Sequence, residues 1–261
     1  MTIKKISPNQ VLLSGFHSIL ARLSSDPSSV HQLFISENRK EKRSQRIFLK
    51  SKELGIKVEV VSNKELKVLF GNLKSQGVVA LAEKKVLSET LGELIQNIAP
   101  NKRGILPTLV FLDGVTDPRN LGAIIRTADA VGVGGIIVPM NHSVSLNDIA
   151  KKISCGASDN IPFIKVPNLA RAIELVQDLG YRVFGMEARK SSDLFLNNLQ
   201  GSNVFIFGNE GFGLKTRTKE FCDKLVHIPM NGNVDSLNIS VACGVTLFEE
   251  YRQKLEIVLP N

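Results

Sequence analysis

The chain is predicted to be α/β: a mostly parallel sheet covered by helices on both faces after about residue 106, preceded by a small αβ domain. Three observations predict this. Short apolar segments alternate with amphipathic ones from residue 108 onward, the pattern of strand–helix units feeding a parallel sheet. Pro100-Asn-Lys-Arg-Gly104 breaks the pattern with turn formers and charge. Three glycine- and asparagine-bearing segments each sit where an apolar strand ends and a helix begins, the position at which open α/β sheets gather ligand-binding loops. With 261 residues and 43% hydrophobic content, the chain can bury a substantial core.

The elements follow in order. Residues 1–84 carry a helix after Gly15-Phe16-His17, a strand over 32–36, a basic helix, a strand over 57–61, a short helix over 64–70 and a strand over 77–82. The stretch 91–98 is amphipathic, and the turn formers after it suit a linker, so the expected organisation is a domain 1–84, a linker 85–105 and a domain 106–261. In the second domain, strands over 108–112, 135–138, 163–166, 182–186, 204–207 and 225–228 alternate with helices over about 120–131, 148–154 and 169–179. A short helix follows Leu214, and a last one runs over about 238–254. No internal repeat or low-complexity tract interrupts them.

The net charge of +8 is wholly N-terminal: residues 1–84 hold 15 Lys and Arg against 7 Asp and Glu, and the remainder holds 18 against 18. The excess is densest in Arg39-Lys-Glu-Lys-Arg-Ser-Gln-Arg46; on a helix, Arg39, Arg43, Arg46 and Lys50 follow 4-3-4 spacing and share one face. A solvated helix face explains such a run in isolation. Segregation of the whole surplus into one domain favours a polyanion-binding surface, because phosphate neutralisation is the common use of such a field. Cys155, Cys222 and Cys243 are odd in number and widely spaced, which fits neither a disulfide framework nor a CxxC metal site. With no apolar run approaching ~18 residues and no export signal, a soluble protein of the reducing cytoplasm is expected.

In the first loop, Asp117-Pro118 begins a turn, Asn120 can cap the following helix, and Arg126 lies about two turns further on, free to pair with Asp129 or to face solvent. The second, Gly208-Asn-Glu-Gly-Phe-Gly213, follows the apolar run Val204-Phe-Ile-Phe207; its glycines permit positive φ and bring main-chain N–H groups against a ligand. It is neither a P-loop nor a GxGxxG dinucleotide fingerprint, which argues against a nicotinamide-dependent oxidoreductase. In the third, Ser236 or Asn238 can cap the last helix.

Together the segments resemble the SpoU family of SPOUT-class (TrmH-like) RNA 2′-O-ribose methyltransferases. The matching pattern is Asn120-x-Gly122-x-x-x-Arg126 with Thr127-Ala128, then Gly208-x-Glu210-Gly211-x-Gly213, then Ile228-Pro229-Met230 with Ser236-Leu237-Asn238. Gly15-x-His17 and Gln76-Gly77 resemble the substrate-binding domain of the 23S rRNA guanosine-2′-O-methyltransferase branch, although Ser75 stands where many relatives carry histidine. The resemblance implies a deep C-terminal trefoil knot, which connection rules alone would not suggest, a ribosomal-protein-like RNA-binding domain before it, and a homodimer. It further implies S-adenosylmethionine as cofactor, contacted by Gly208, Ile228, Met230 and Leu237. Asn120, Arg126, Glu210, Ser236 and Asn238 are the implied catalytic set, with no metal required. A guanosine of 23S rRNA is the expected substrate; tRNA is the rival target, and a non-catalytic RNA-binding protein of the same fold the rival class.

Overall fold

The computed structural model describes residues 7, 9–39, 41–71, 75–84, 87–187 and 191–256. Lys40 of the basic run and the side chain of His17 lie outside the described residues. The chain divides into two compact units, Met1–Val86 and Leu87–Asn261.

In the first unit, β1 (Gln10–Ser14), α1 (Phe16–Ser25), β2 (Val30–Ser36), α2 (Lys42–Glu53), β3 (Lys57–Val61), α3 (Asn63–Phe70) and β4 (Val78–Glu83) follow one another. The sheet order is β1-β4-β2-β3, with only β2–β3 parallel. Alternation along β2 divides the core. Leu33 and Ile35 pack with Ile19, Leu23 and Ile47 of α1 and α2, whereas Phe34 packs with Leu66 and Phe70 of α3 on the other face. Strand β1 was not expected; it has no strict polar–apolar alternation and owes its conformation to pairing with β4. Helix α2 starts at Lys42, and Arg39 belongs to the turn after β2, its N–H donating to Ser36 O at 3.0 Å. Only Arg43, Arg46 and Lys50 therefore share a helical face.

The second unit comprises α4 (Leu91–Asn97), β5 (Leu109–Leu112), α5 (Pro118–Val131), β6 (Gly135–Pro139), α6 (Asp148–Ile153), β7 (Phe163–Val166), α7 (Leu169–Gln177), β8 (Arg182–Met186), β9 (Ser192–Asp193), β10 (Asn203–Phe207), α8 (Thr216–Glu220), β11 (Lys224–His227) and α9 (Ile239–Glu256). All strand pairs in its seven-stranded sheet, β7-β6-β5-β10-β8-β11-β9, are parallel. Val110, Leu112, Phe205 and Phe207 face the layer containing α5 and α9; Leu109, Phe111, Val204 and Ile206 face α4 and α7. Such two-sided burial explains the nearly continuous apolar strands. Leu91 and Leu94 of α4 belong to this core, so the stretch read as a linker contributes a packed helix. Its amphipathic spacing was the truer signal, outweighed in sequence by the turn formers after it.

Strand order places the functional loops. From β5 the chain proceeds to β6 and β7 on one side, while β10, β8, β11 and β9 lie on the other. The crevice beyond the carboxyl ends of β5 and β10 is thus a topological switch point, where ligands of open parallel sheets bind. At the other end of these strands, buried Glu250 of α9 accepts hydrogen bonds from Thr108 Oγ1 at 2.7 Å and Asn203 Nδ2 at 2.8 Å, and pairs with Lys254 at 2.7 Å. That cluster clamps α9 to the starts of β5 and β10.

Candidate active site

Local chemistry sets each loop. Asp117 caps α5 by accepting from Arg119 N at 2.8 Å, with Pro118 in the first turn. Hydrogen bonding from Arg119 holds the Asp117 carboxyl below its usual range. Helix α5 therefore begins two residues before the expected start, and Asn120 sits inside its first turn rather than capping it. After β10, Asn209 and Gly213 exchange backbone hydrogen bonds at 2.9 and 2.8 Å and close the glycine loop into a tight bend. A Cβ at position 208 would stand 2.1 Å from the carbonyl carbon of Gly213, so only glycine fits there. Asn209 Nδ2 donates to Gly114 O at 3.0 Å, tying this loop to the one after β5.

The third loop ends in the cap of α9, and Asn238, not Ser236, supplies it. Asn238 Oδ1 accepts from Ser240 N at 2.9 Å and from Ser240 Oγ at 2.6 Å. Those bonds orient the amide so that Nδ2 points at the other two loops, donating to Glu210 Oε1 at 2.9 Å and to Asn120 Oδ1 at 3.1 Å. Asn120 Nδ2 donates to the same Glu210 oxygen at 2.6 Å. Asn120, Glu210 and Asn238 thus form a closed triangle, one residue from each loop.

Glu210 also borders a cavity of about 320 Å³ together with Gly208, Ile228, Met230, Ser236 and Leu237. All four residues expected at the cofactor, and two of the expected catalytic set, line this one cleft. Its floor is apolar, with Phe207, Ile239 and Ala242, and its polar side carries Glu187, Glu210 and Asp235. No described lysine, arginine or histidine lines it, so the cleft favours a cationic ligand over a phosphate.

Arg126 is not brought there. It lies six residues beyond Asn120 on α5, about a third of a turn around the helix and roughly 9 Å along it. Its side chain is exposed, with no hydrogen bond or ion pair to a described residue. Of the alternatives open in sequence, solvent and not Asp129 receives it.

Several residues in or near the cleft received no role in the sequence reading. Met186 and Glu187 close β8, and Glu187 pairs with Lys219 at 2.9 Å; an acid just past the carboxyl end of a parallel strand was the available signal. Asp113, 2% exposed, accepts from Thr218 Oγ1 at 2.6 Å and pairs with Lys215 at 2.9 Å, fixing the end of β5 against α8. Phe212, 93% exposed, stands at the tip of the glycine loop beside the cleft.

Comparison with known proteins identifies the family. The family model described as the SpoU rRNA Methylase family matches residues 107–248, and one described as RNA 2′-O ribose methyltransferase substrate binding matches residues 12–86. The chain is 40% identical to the 23S rRNA (guanosine-2′-O-)-methyltransferase RlmB of Ralstonia nicotianae over 243 residues, covering 93% of this chain and 96% of that one. It is also 40% identical to RlmB of Coxiella burnetii, covering 92% and 94%. Among solved structures it resembles the AdoMet-bound rRNA methyltransferase of Sinorhizobium meliloti, with a TM-score of 0.59 and 26% identity over 94% of this chain and 87% of that one. Matched by the first model over more than half its length and by curated relatives over nearly all of it, the chain belongs to the SpoU rRNA methylase family.

Proposed function

We propose that this protein transfers a methyl group from S-adenosylmethionine to the ribose 2′-hydroxyl of a guanosine in 23S rRNA, acting as a cytoplasmic homodimer. The observation that carries the reading is Glu210: one carboxylate belongs both to the Asn120–Glu210–Asn238 triangle and to the acidic, apolar-floored cleft. Family membership and relatives named as 23S rRNA guanosine-2′-O-methyltransferases supply the substrate class. In the same reading residues 1–84 bind RNA and residues 106–261 carry the chemistry. No described helix is long and apolar enough to cross a membrane.

The cleft suits the cofactor. About 320 Å³ lies within the range of small-molecule pockets, and the carboxylates of Glu187, Glu210 and Asp235 in its lining, Glu187 already paired with Lys219, complement a sulfonium and an ammonium group. When bound, S-adenosylmethionine supplies a methyl group already activated by the positive charge on sulfur. The chain's residues then position the nucleophile and manage one proton. Gly208, Ile228, Met230 and Leu237 hold the donor, largely through main chain. Two hydrogen bonds fix Glu210 by Oε1, leaving its other oxygen to receive a hydroxyl of substrate or donor, and Ser236 shapes the cleft beside it. Guanidinium stays protonated, so Arg126 clamps the phosphate next to the reacting ribose and stabilises developing alkoxide charge. The proton leaves through a phosphate oxygen or water.

A homodimer accounts for the placement of Arg126. Helix α5 packs on α9, and Val241, Phe248 and Leu255, seven residues apart, leave α9 with an apolar stripe 50%, 51% and 41% exposed. A second copy covering that stripe buries it, and Arg126 of the partner subunit completes each cleft. The knot is part of the same proposal: after β10 the chain returns through β11 beyond β8, and α9 closes onto α5. Mapping 2′-O-methyl positions in 23S rRNA from cells lacking the protein tests the function. One lost guanosine methylation, restored by the purified protein and labelled donor, supports it; intact rRNA with a missing tRNA methyl overturns the substrate.

A further inference from the structure

The first unit contains a cleft of about 550 Å³ lined by Phe16, Arg39, Glu41, Lys42, Arg43 and Gln76. It joins parts far apart in sequence: the start of α1, the turn after β2, the first turn of α2 and the turn before β4. Three of its residues are cations. Arg39 pairs with Glu41 at 2.6 Å, but Lys42 and Arg43 are exposed and make no hydrogen bond or ion pair with a described residue. They occupy the first turn of α2, which has no acid and no side-chain cap. The positive end of a helix disfavours cations, and the one acid in the lining, the N-cap residue Glu41, is committed to Arg39, so the cleft keeps a net positive charge that an anion would relieve. The backbone is also committed here. Gln76 is held at φ 49°, unusual for a residue with a side chain, and the Arg39 side chain fills the space a Cβ on Gly77 would need, its Nε 2.7 Å from that point. The exposed Gln76 amide has no hydrogen bond to a described residue.

We infer that this cleft is a subsite for the sugar–phosphate backbone of the RNA: Arg39, Lys42 and Arg43 seat a phosphate, and the Gln76 amide hydrogen-bonds the adjoining nucleotide. The inference rests on the RNA-methyltransferase reading above and deepens it. It is favoured over an acidic peptide because residues 1–84 carry the chain's entire net charge of +8, the distribution expected of a phosphate-neutralising surface.

The test uses the full chain and a 23S rRNA transcript, with affinity measured from about 50 to 300 mM salt. Lys42→Gln with Arg43→Gln should weaken binding roughly 10- to 30-fold near 150 mM salt and flatten the salt dependence by one to two ions, while affinity for S-adenosylmethionine and the thermal midpoint stay unchanged. The charge-matched control, Lys64→Gln with Lys67→Gln, alters α3 on the opposite face of the sheet and should cost several-fold less. Gln76→Gly should relieve the backbone, leaving the thermal midpoint equal or higher, and still weaken RNA binding. If the cleft and control pairs weaken binding equally, or the cleft variants bind as the parent does, the subsite is overturned even though the parent methylates rRNA. A parent chain that neither binds nor methylates rRNA overturns instead the functional reading beneath it.

Discussion

Asn238→Asp separates the two duties of the residue that closes the site. Asn238 Oδ1 caps α9 through Ser240, and Nδ2 donates to Glu210 and Asn120. Aspartate keeps the cap, which is worth about 1 kcal/mol, and an acid at a helix N-terminus is electrostatically favourable. It replaces the donor facing Glu210 with a carboxylate oxygen at the 2.9 Å position now held by nitrogen. Two like charges that close repel by about 1.4 kcal/mol even in fully water-like surroundings, equivalent to roughly one pKa unit. The carboxyl pair should therefore titrate above the ordinary range in the folded variant. A group whose folded-state pKa is raised makes its stabilising contribution at low pH and loses it as pH rises, so the variant should be nearest the parent in mildly acidic buffer. There a shared proton restores a donor to the triangle.

Three measurements read this out: thermal midpoint, donor affinity by calorimetry, and methyl transfer from labelled donor between about pH 5 and 8.5. Methyl transfer should fall about 100-fold at pH 8, the scale of a lost positioning or electrostatic group, with partial recovery toward pH 5.5 relative to the parent and a melting temperature close to the parent's. By contrast, Asn238→Ala should lose the cap and the triangle together, with no recovery in acid. An aspartate variant with parental turnover and a parental pH profile would refute a functional triangle.

Other substitutions probe the remaining parts of the site and the fold. Gly208→Ala forces a Cβ to within 2.1 Å of the Gly213 carbonyl carbon, so donor affinity by calorimetry should fall by at least ~10-fold as the bend opens; unchanged affinity would mean the bend does not hold the donor. Arg126→Ala should lower methyl transfer by at least ~100-fold while donor affinity is kept, and normal turnover in a folded variant would remove it from the mechanism. Arg126→Ala chains mixed with Asn238→Ala chains should recover roughly a quarter of parental activity if Arg126 serves the partner subunit's cleft, and none if it serves its own. Burial raises the Glu250 carboxyl above its usual range, so stability should fall as pH rises from about 4.5. Glu250→Gln should flatten that dependence in urea unfolding, whereas Glu250→Ala, which strands Lys254, should cost about 3 kcal/mol.

The parallel sheet was legible because two-sided burial makes strands such as Val204-Phe-Ile-Phe207 continuously apolar, and because glycine and asparagine mark the loops after them. Strand β1 was not, since an edge strand without alternation depends on β4, which lies some seventy residues further on. Arg39 was assigned to a helix on spacing alone, but the chain turns back there through its bond to Ser36. Each corner of the triangle was legible singly and the triangle was not. Its bonds join residues 28, 90 and 118 apart, and no local pattern encodes which faces of three loops meet.

Arg126 is the instructive case, because the sequence motif names it and does not say where it lies. A cation four residues beyond a helix glycine says nothing about which cleft it serves. In the structure, α5 directs Asn120 toward the glycine loop and, about a third of a turn away, leaves Arg126 exposed beside the helix that carries an uncovered apolar stripe. Apolar residues 241, 248 and 255 are exposed along α9, and Arg126, six residues beyond Asn120, does not line the cleft that Glu210 borders. The proposed association through α9 would account for both. In that proposal the remaining element of the site belongs to two chains, and no reading of one chain's local pattern contains it.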